Sequence, residues 1–237
     1  MDEATASLVA LSAALGTGER RRVVEAIDRA ARCSDPRAVE EVLLQSYLFL
    51  GYPAALNALA LWRERTGVAA PDPTADDWDA WRHRGERVCE RVYAGQYERL
   101  RENVARLHPD MERWMLTEGY GKVLGRPGLE LRVRELCIAA LLAGLDAEPQ
   151  LYAHLRGALN TGAEPDEVEA ALELACEMLP DERVEAARAV WAVVRRRWAE
   201  RAQVEAAQVE QARTEQARTE QARTEQARTG QARAERP

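Results

Sequence analysis

Two residue pairs in this chain have the types and spacing to do chemistry. Glu135 lies in Leu131-Arg132-Val133-Arg134-Glu135-Leu136-Cys137, and His154 in Leu151-Tyr152-Ala153-His154-Leu155. A carboxylate beside an imidazole tunes the ring for proton transfer. Arg132 and Arg134, within a turn of Glu135, are the candidate contacts for a substrate carboxylate. The alternative reading of the four is an ion-pair cluster that orients the start of a helix. The other two of the three histidines, His83 beside Trp81 and His108 before Pro109, read as structural.

Several chemistries are not encoded. No Ser-His-Asp signature, phosphate-cradling glycine loop or metal-ligand spacing occurs, so neither metal nor cofactor is expected. The four cysteines, Cys33, Cys89, Cys137 and Cys176, stand far apart and form no CxxC pair. Cys137 sits inside an apolar run and reads as a small core residue.

The elements that must position Glu135 and His154 are helices. Ala, Leu, Arg and Glu dominate and aromatics make up 5% of the 237 residues, a mix that favours helix over sheet. Glu130–Leu145 is apolar all round in its second half and reads as a buried helix. The turn at Gly144–Pro149 folds the next helix, Pro149–Thr161, back against it, which brings Glu135 and His154 face to face. Elsewhere the periodicity predicts helices at Ser7–Leu15, Arg20–Arg32, Pro36–Leu50 and Ala54–Arg65. Asp35-Pro36 is a start signal, and Thr74–Asp77 reads as a capping box before a helix carrying Trp78, Trp81 and Cys89. Further helices follow at Tyr97–Leu107 and from Pro109 to a stop near Gly119-Tyr120-Gly121, then at Pro165–Leu179 and Asp181–Arg201.

Ser7–Leu44 aligns weakly with Glu135–Leu172, which suggests two pseudo-equivalent helical units. The expected class is therefore all-α: a compact helical bundle with two weakly repeated units and a helical or disordered C-terminal tail. Its expected parts are a degenerate repeat unit over 1–70, connecting helices over 71–118, a C-terminal unit over 119–201 and a tail over 202–237. In the tail Gln211-Ala212-Arg213-Thr214-Glu215 recurs, and a five-residue period keeps no apolar stripe on a helix.

Net charge is −7 and the pI about 5.3, without a basic patch, so nucleic acid is not an expected partner. The longest apolar run, Leu136–Leu145, is too short to span a bilayer, and Met1-Asp2-Glu3 shows no secretory signal. A cytoplasmic location with reduced thiols is expected.

Tyr120-Gly121, Arg126-Pro127-Gly128-Leu129 and Arg134-Glu135-Leu136 together resemble a stretch of carboxymuconolactone decarboxylase-like proteins. His154…Ala158…Gly162-Ala163 and Glu41-Val42-Leu43-Leu44-Gln45 with Gly51-Tyr52-Pro53 resemble two more of their segments. The resemblance covers most of Leu8–Leu179. It implies an all-helical fold that self-assembles into rings, trimers or hexamers. One branch decarboxylates a carboxylated muconolactone without a cofactor, the departing carbon dioxide leaving its electrons to a carbonyl. Another, alkylhydroperoxidase D-like, is a thiol peroxidase that uses Glu, CxxC and His. Glu135 and His154 match that Glu and His, but Ala147 and Gln150 stand at the two cysteine positions, and a dithiol cycle needs both thiols. In the N-terminal unit Ser7 and Ala26 replace the acid and the imidazole.

The leading expectation is a cofactor-independent lyase or isomerase acting on a small carboxylated lactone. His154 would move the proton, Glu135 tune it, and Arg132 or Arg134 hold the acid. A non-enzymatic oligomeric scaffold or small-acid binder is the alternative, with thiol peroxidase third.

Overall fold

The computed structural model describes residues 1–75 and 77–234, and the side chains of all of these but 214, 215 and 217–234. The described residues contain helices and no strand. They are α1 (Glu3–Thr17), α2 (Arg20–Cys33), α3 (Pro36–Gln45), α4 (Tyr47–Thr66), α5 (Trp78–Tyr93), α6 (Tyr97–Leu107) and α7 (Pro109–Trp114). A π-helix (Met115–Leu124) follows, then α8 (Leu131–Ala143), α9 (Glu148–Asn160), α10 (Pro165–Cys176) and α11 (Asp181–Ala234).

Helix starts follow local chemistry. The Asp35 carboxylate accepts from the backbone N–H of Arg37 at 2.8 Å, and Pro36 opens α3. Glu164 and Glu167 form a reciprocal capping box at the start of α10. His108 caps α7, its Nδ1 accepting from the Asp110 N–H at 3.0 Å, a structural role as expected. Part of the expected capping box at Thr74–Asp77, Asp76, lies outside the described residues; Asp77 itself caps α5, accepting from the Ala80 N–H at 2.9 Å.

The chain forms two compact units, Met1–Val194 and Arg195–Pro237. In the first, α1 and α8 are buried on nearly every face and pack along each other. A Cβ on Gly16 would collide at 2.6 Å with the carbonyl oxygen of Leu141, so glycine sets their closest approach. α1 packs against α2 and α3, and α8 against α9 and α10. The second unit is helical through Ala234, including the copies of the Gln-Ala-Arg-Thr-Glu repeat as far as the described backbone extends.

Two expected boundaries move. The helix expected over Pro36–Leu50 ends at Gln45, and the chain bends by 116° into α4. The bend places Tyr47, Leu48 and Phe49 on α4, ahead of Gly51, whose φ of 78° breaks that helix's first turn. The helix that begins at Pro109 does not stop at Gly119–Gly121. It widens into the π-helix and continues to Leu124. The wider turn packs closely on α5: a Cβ on Gly121 would strike the carbonyl of Trp81, and one on Gly85 the carbonyl of Leu116.

Candidate functional site

Glu135 projects from the second turn of α8 and His154 from the middle of α9. The short Gly144–Ala147 connection makes the two helices antiparallel neighbours. The Nδ1 of His154 lies 2.8 Å from Oε2 of Glu135. Glu135 is fully buried and His154 only 6% exposed. Gly157, one turn beyond His154, gives the carboxylate its room: a Cβ there would collide with Oε2 and lie 2.8 Å from the Val92 side chain. Asn160 fastens the end of α9 to α5, its Nδ2 donating to the Val92 carbonyl at 2.8 Å.

With a carboxylate accepting at Nδ1, the proton of the neutral ring resides there, a tautomer assigned from the hydrogen-bond partner. Nε2 then carries the free lone pair. The hydrogen bond of His154 among the described residues is the one at Nδ1. The second carboxylate oxygen, Oε1 of Glu135, is buried without a partner. Leaving a buried acceptor unmet costs on the order of 1–3 kcal/mol, and such costs concentrate where a residue serves function.

His154 opens onto a cavity of about 420 Å3. The π-helix contributes Met115, Glu118, Tyr120 and Leu124 to its wall, α7 contributes Met111 and Trp114, and α5 contributes Tyr93. Phe49, the chain's only phenylalanine, meets the His154 ring edge-on with centroids 5.7 Å apart. Gln150, at one of the two positions where the peroxidase branch has cysteine, lines the cavity one turn before His154. Burial, reinforced by the Glu135 charge, raises the Tyr93 phenol to about 12 and pushes Tyr120 well above the usual tyrosine range. Both phenols are therefore neutral at physiological pH, and the two are hydrogen-bonded to each other.

The structure brings Glu135 and His154 together and takes both arginines elsewhere. Arg134, fully buried, donates to Oε2 of Glu41 at 2.8 Å, to the Arg126 carbonyl at 2.9 Å and to Oε1 of Gln45 at 3.2 Å. Arg126 binds the same Glu41 at 3.1 Å, so this cluster ties the loop before α8 to α3. Arg132 pairs with Glu167 at the start of α10. Neither arginine lines the cavity. The cavity residues that the sequence reading passed over, Phe49, Tyr93, Trp114 and Glu118, come from elements far apart in the chain. Tyr120, another residue of the wall, lay inside the Tyr120-Gly121 motif. Ser7, in the place of Glu135 in the first unit, pairs at 2.7 Å with the Ser34 hydroxyl, a purely structural contact.

Residues 109–194 match the model of the carboxymuconolactone decarboxylase family. The chain is 31% identical over 144 residues to Peroxisomal protein 2 of Schizosaccharomyces pombe, covering 59% of this chain and 68% of that protein. It is 28% identical over 164 residues to Peroxisomal protein 2 of Saccharomyces cerevisiae, covering 57% of this chain and 58% of that one. The chain thus spans about three fifths to two thirds of its curated relatives. In fold it is similar to a crystal structure described as a gamma-carboxymuconolactone decarboxylase subunit from Burkholderia xenovorans, with a TM-score of 0.50 and 22% identity over 83% of this chain and 80% of that one. On the motifs, the matched segment and the shared fold, the chain belongs to the carboxymuconolactone decarboxylase-like family.

Proposed function

We propose that Glu135 and His154 form a cofactor-independent proton-transfer centre for a small lactone, with lyase or isomerase chemistry. The observation that carries this reading is the 2.8 Å contact of Nδ1 with Glu135 beside a cavity that His154 lines, and in this reading Nε2 is the base.

The reaction can be written on an unconjugated butenolide. Nε2 takes the proton from the carbon next to the carbonyl, and the C–H electron pair passes into the ring as a dienolate. The imidazolium, stabilised by Glu135, returns that proton to the γ carbon, leaving a conjugated lactone and a neutral ring. Loss of carbon dioxide from a carboxylated lactone leaves an enolate of the same kind, so the same acid serves to quench it. Neither arginine supports the expected substrate anchor, and the cavity wall takes over positioning in this reading.

The test is isomerisation of α-angelica lactone, followed by the absorbance of the conjugated product. We expect turnover by the wild-type chain and a loss of about a hundred- to ten-thousandfold in His154→Ala, the usual contribution of a general base. Equal rates in the two proteins would remove the proposal.

Self-assembly into a trimeric or hexameric ring belongs to the same proposal and is supported by exposed Met111, Trp114 and Leu107; light scattering measures it directly. No single described helix is long and apolar enough to cross a membrane. We keep a cytoplasmic location as part of the proposal. The relatives' name makes the peroxisome the alternative, and fractionation of cells expressing the chain decides between them.

A further inference from the structure

We infer that the cavity selects uncharged ring lactones and rejects those bearing a free carboxylate, with Glu118 as the residue that enforces the choice. This rests on the proton-transfer reading of the same cavity and narrows it to the isomerase, since decarboxylation would need the carboxylated lactone that the cavity rejects.

Three observations support the inference. First, no arginine or lysine lines the cavity among the described residues. Burying an ionised carboxylate without a cation is costly, and the cost falls only when a partner charge is in reach. The two arginines nearest in sequence to Glu135 are held by Glu41 and Glu167.

Second, the charged group that does line the cavity is itself a carboxylate. Glu118 accepts from the Tyr47 hydroxyl at 3.0 Å and pairs with Lys122 at 3.5 Å. Burial, then the hydrogen bond to Glu118 and its charge, raise the Tyr47 phenol above the ordinary range. Lys122, the chain's only lysine, rests over the rings of Trp81 and Tyr47, at 5.4 and 5.9 Å from their centroids. Of this pair, Glu118 is the member that lines the cavity.

Third, the rest of the wall suits a neutral ring. Phe49, Trp114, Met115 and Leu124 offer apolar and aromatic faces, and the phenol of Tyr93, itself hydrogen-bonded by Tyr120, offers a donor for a carbonyl oxygen.

The test compares matched ligands: the γ-carboxylate of γ-butyrolactone and its methyl ester, titrated at neutral pH by calorimetry. We expect the ester to bind the wild-type chain at least about tenfold more tightly than the carboxylate, a difference of about 1.4 kcal/mol. In Glu118→Gln, which removes the repelling charge and leaves Lys122 unpaired, the ester-to-carboxylate ratio should fall several-fold. A wild-type ratio near one, no binding of the ester, or a ratio unmoved by Glu118→Gln would each overturn the inference. Equilibrium binding involves no turnover, and the same ratio is expected in His154→Ala. A wild-type chain that shows the ratio yet transfers no proton would refute the reaction and leave the selectivity standing.

Discussion

Gly157 and Glu135 are in van der Waals contact across the α8–α9 interface, so closely that any Cβ on Gly157 would occupy the space of Oε2. This contact makes an unusual prediction about sign. Gly→Ala inside a helix normally stabilises by roughly 0.5–1 kcal/mol. Here Gly157→Ala should lower stability by about 1–3 kcal/mol through overpacking. It should also lower the isomerisation rate by displacing the carboxylate from Nδ1. Thermal unfolding and the lactone assay together check both parts, and a stabilised, fully active variant would show that the carboxylate does not need that space.

Glu135→Gln separates charge from shape. The amide oxygen can still accept from Nδ1, but it no longer stabilises an imidazolium. The rate should fall about a hundred- to ten-thousandfold while the fold persists. Circular dichroism and the assay, run on the same preparation, make the comparison. Retained activity would mean that the carboxylate only supports the helix start.

The two arginines should behave differently from each other and from substrate contacts. Arg134→Ala leaves the buried Glu41, 5% exposed, with Arg126 as its remaining partner and strips the hydrogen bonds to Gln45 and the Arg126 carbonyl, and should cost about 1–3 kcal/mol. Arg132→Ala breaks a partly exposed pair, and about 1 kcal/mol or less is expected. Ligand affinity should change little in any variant that stays folded. Denaturant melts rank the two, and a large affinity loss in Arg132→Ala with no stability change would restore it as a substrate contact.

The thiols and phenols set the alkaline behaviour. Burial raises Cys137 to about 12 and pushes Cys89 up further, with the Glu135 charge adding to the shift at Cys89. Both should resist alkylation at pH 8, whereas the partly exposed Cys33 should react, as mass spectrometry of the iodoacetamide-treated native chain would show. A folded-state value above the unfolded one means the native state holds the proton more tightly. The resulting stability is complete below the unfolded value and lost as pH rises towards the folded one. For Cys137 that window runs from about 9 to about 12, and for Tyr93 from about 10 to about 12. Unfolding free energy should therefore decline across those windows. A flat profile to pH 12 would contradict the burial of these groups.

Sequence revealed what local rules control. Asp35-Pro36 and Glu164-Pro165 announced their helices because capping chemistry is local. Glu135 and His154 were legible as partners because a short connection leaves consecutive helices little choice but to lie antiparallel. The arginines misled because a helix turns about 100° per residue. Arg134, next to Glu135, therefore points to a different face, and its partner Glu41 lies 93 residues away. The bend at Ser46 carries no glycine or proline to mark it. The π-helix runs through Gly119 and Gly121, which in an α-helical reading are stops. Most of the cavity follows from those two unmarked features, so its apolar wall and Glu118 emerged only with the fold.

The most direct measurement is the protonation of the two ring nitrogens of His154, read from nitrogen-15 chemical shifts at neutral pH. The proposed centre requires a protonated Nδ1 and an unprotonated Nε2, with the Nε2 signal responding when a neutral lactone is added. A proton on Nε2, with Nδ1 bare or with the signal indifferent to ligand, would leave the cavity without its base.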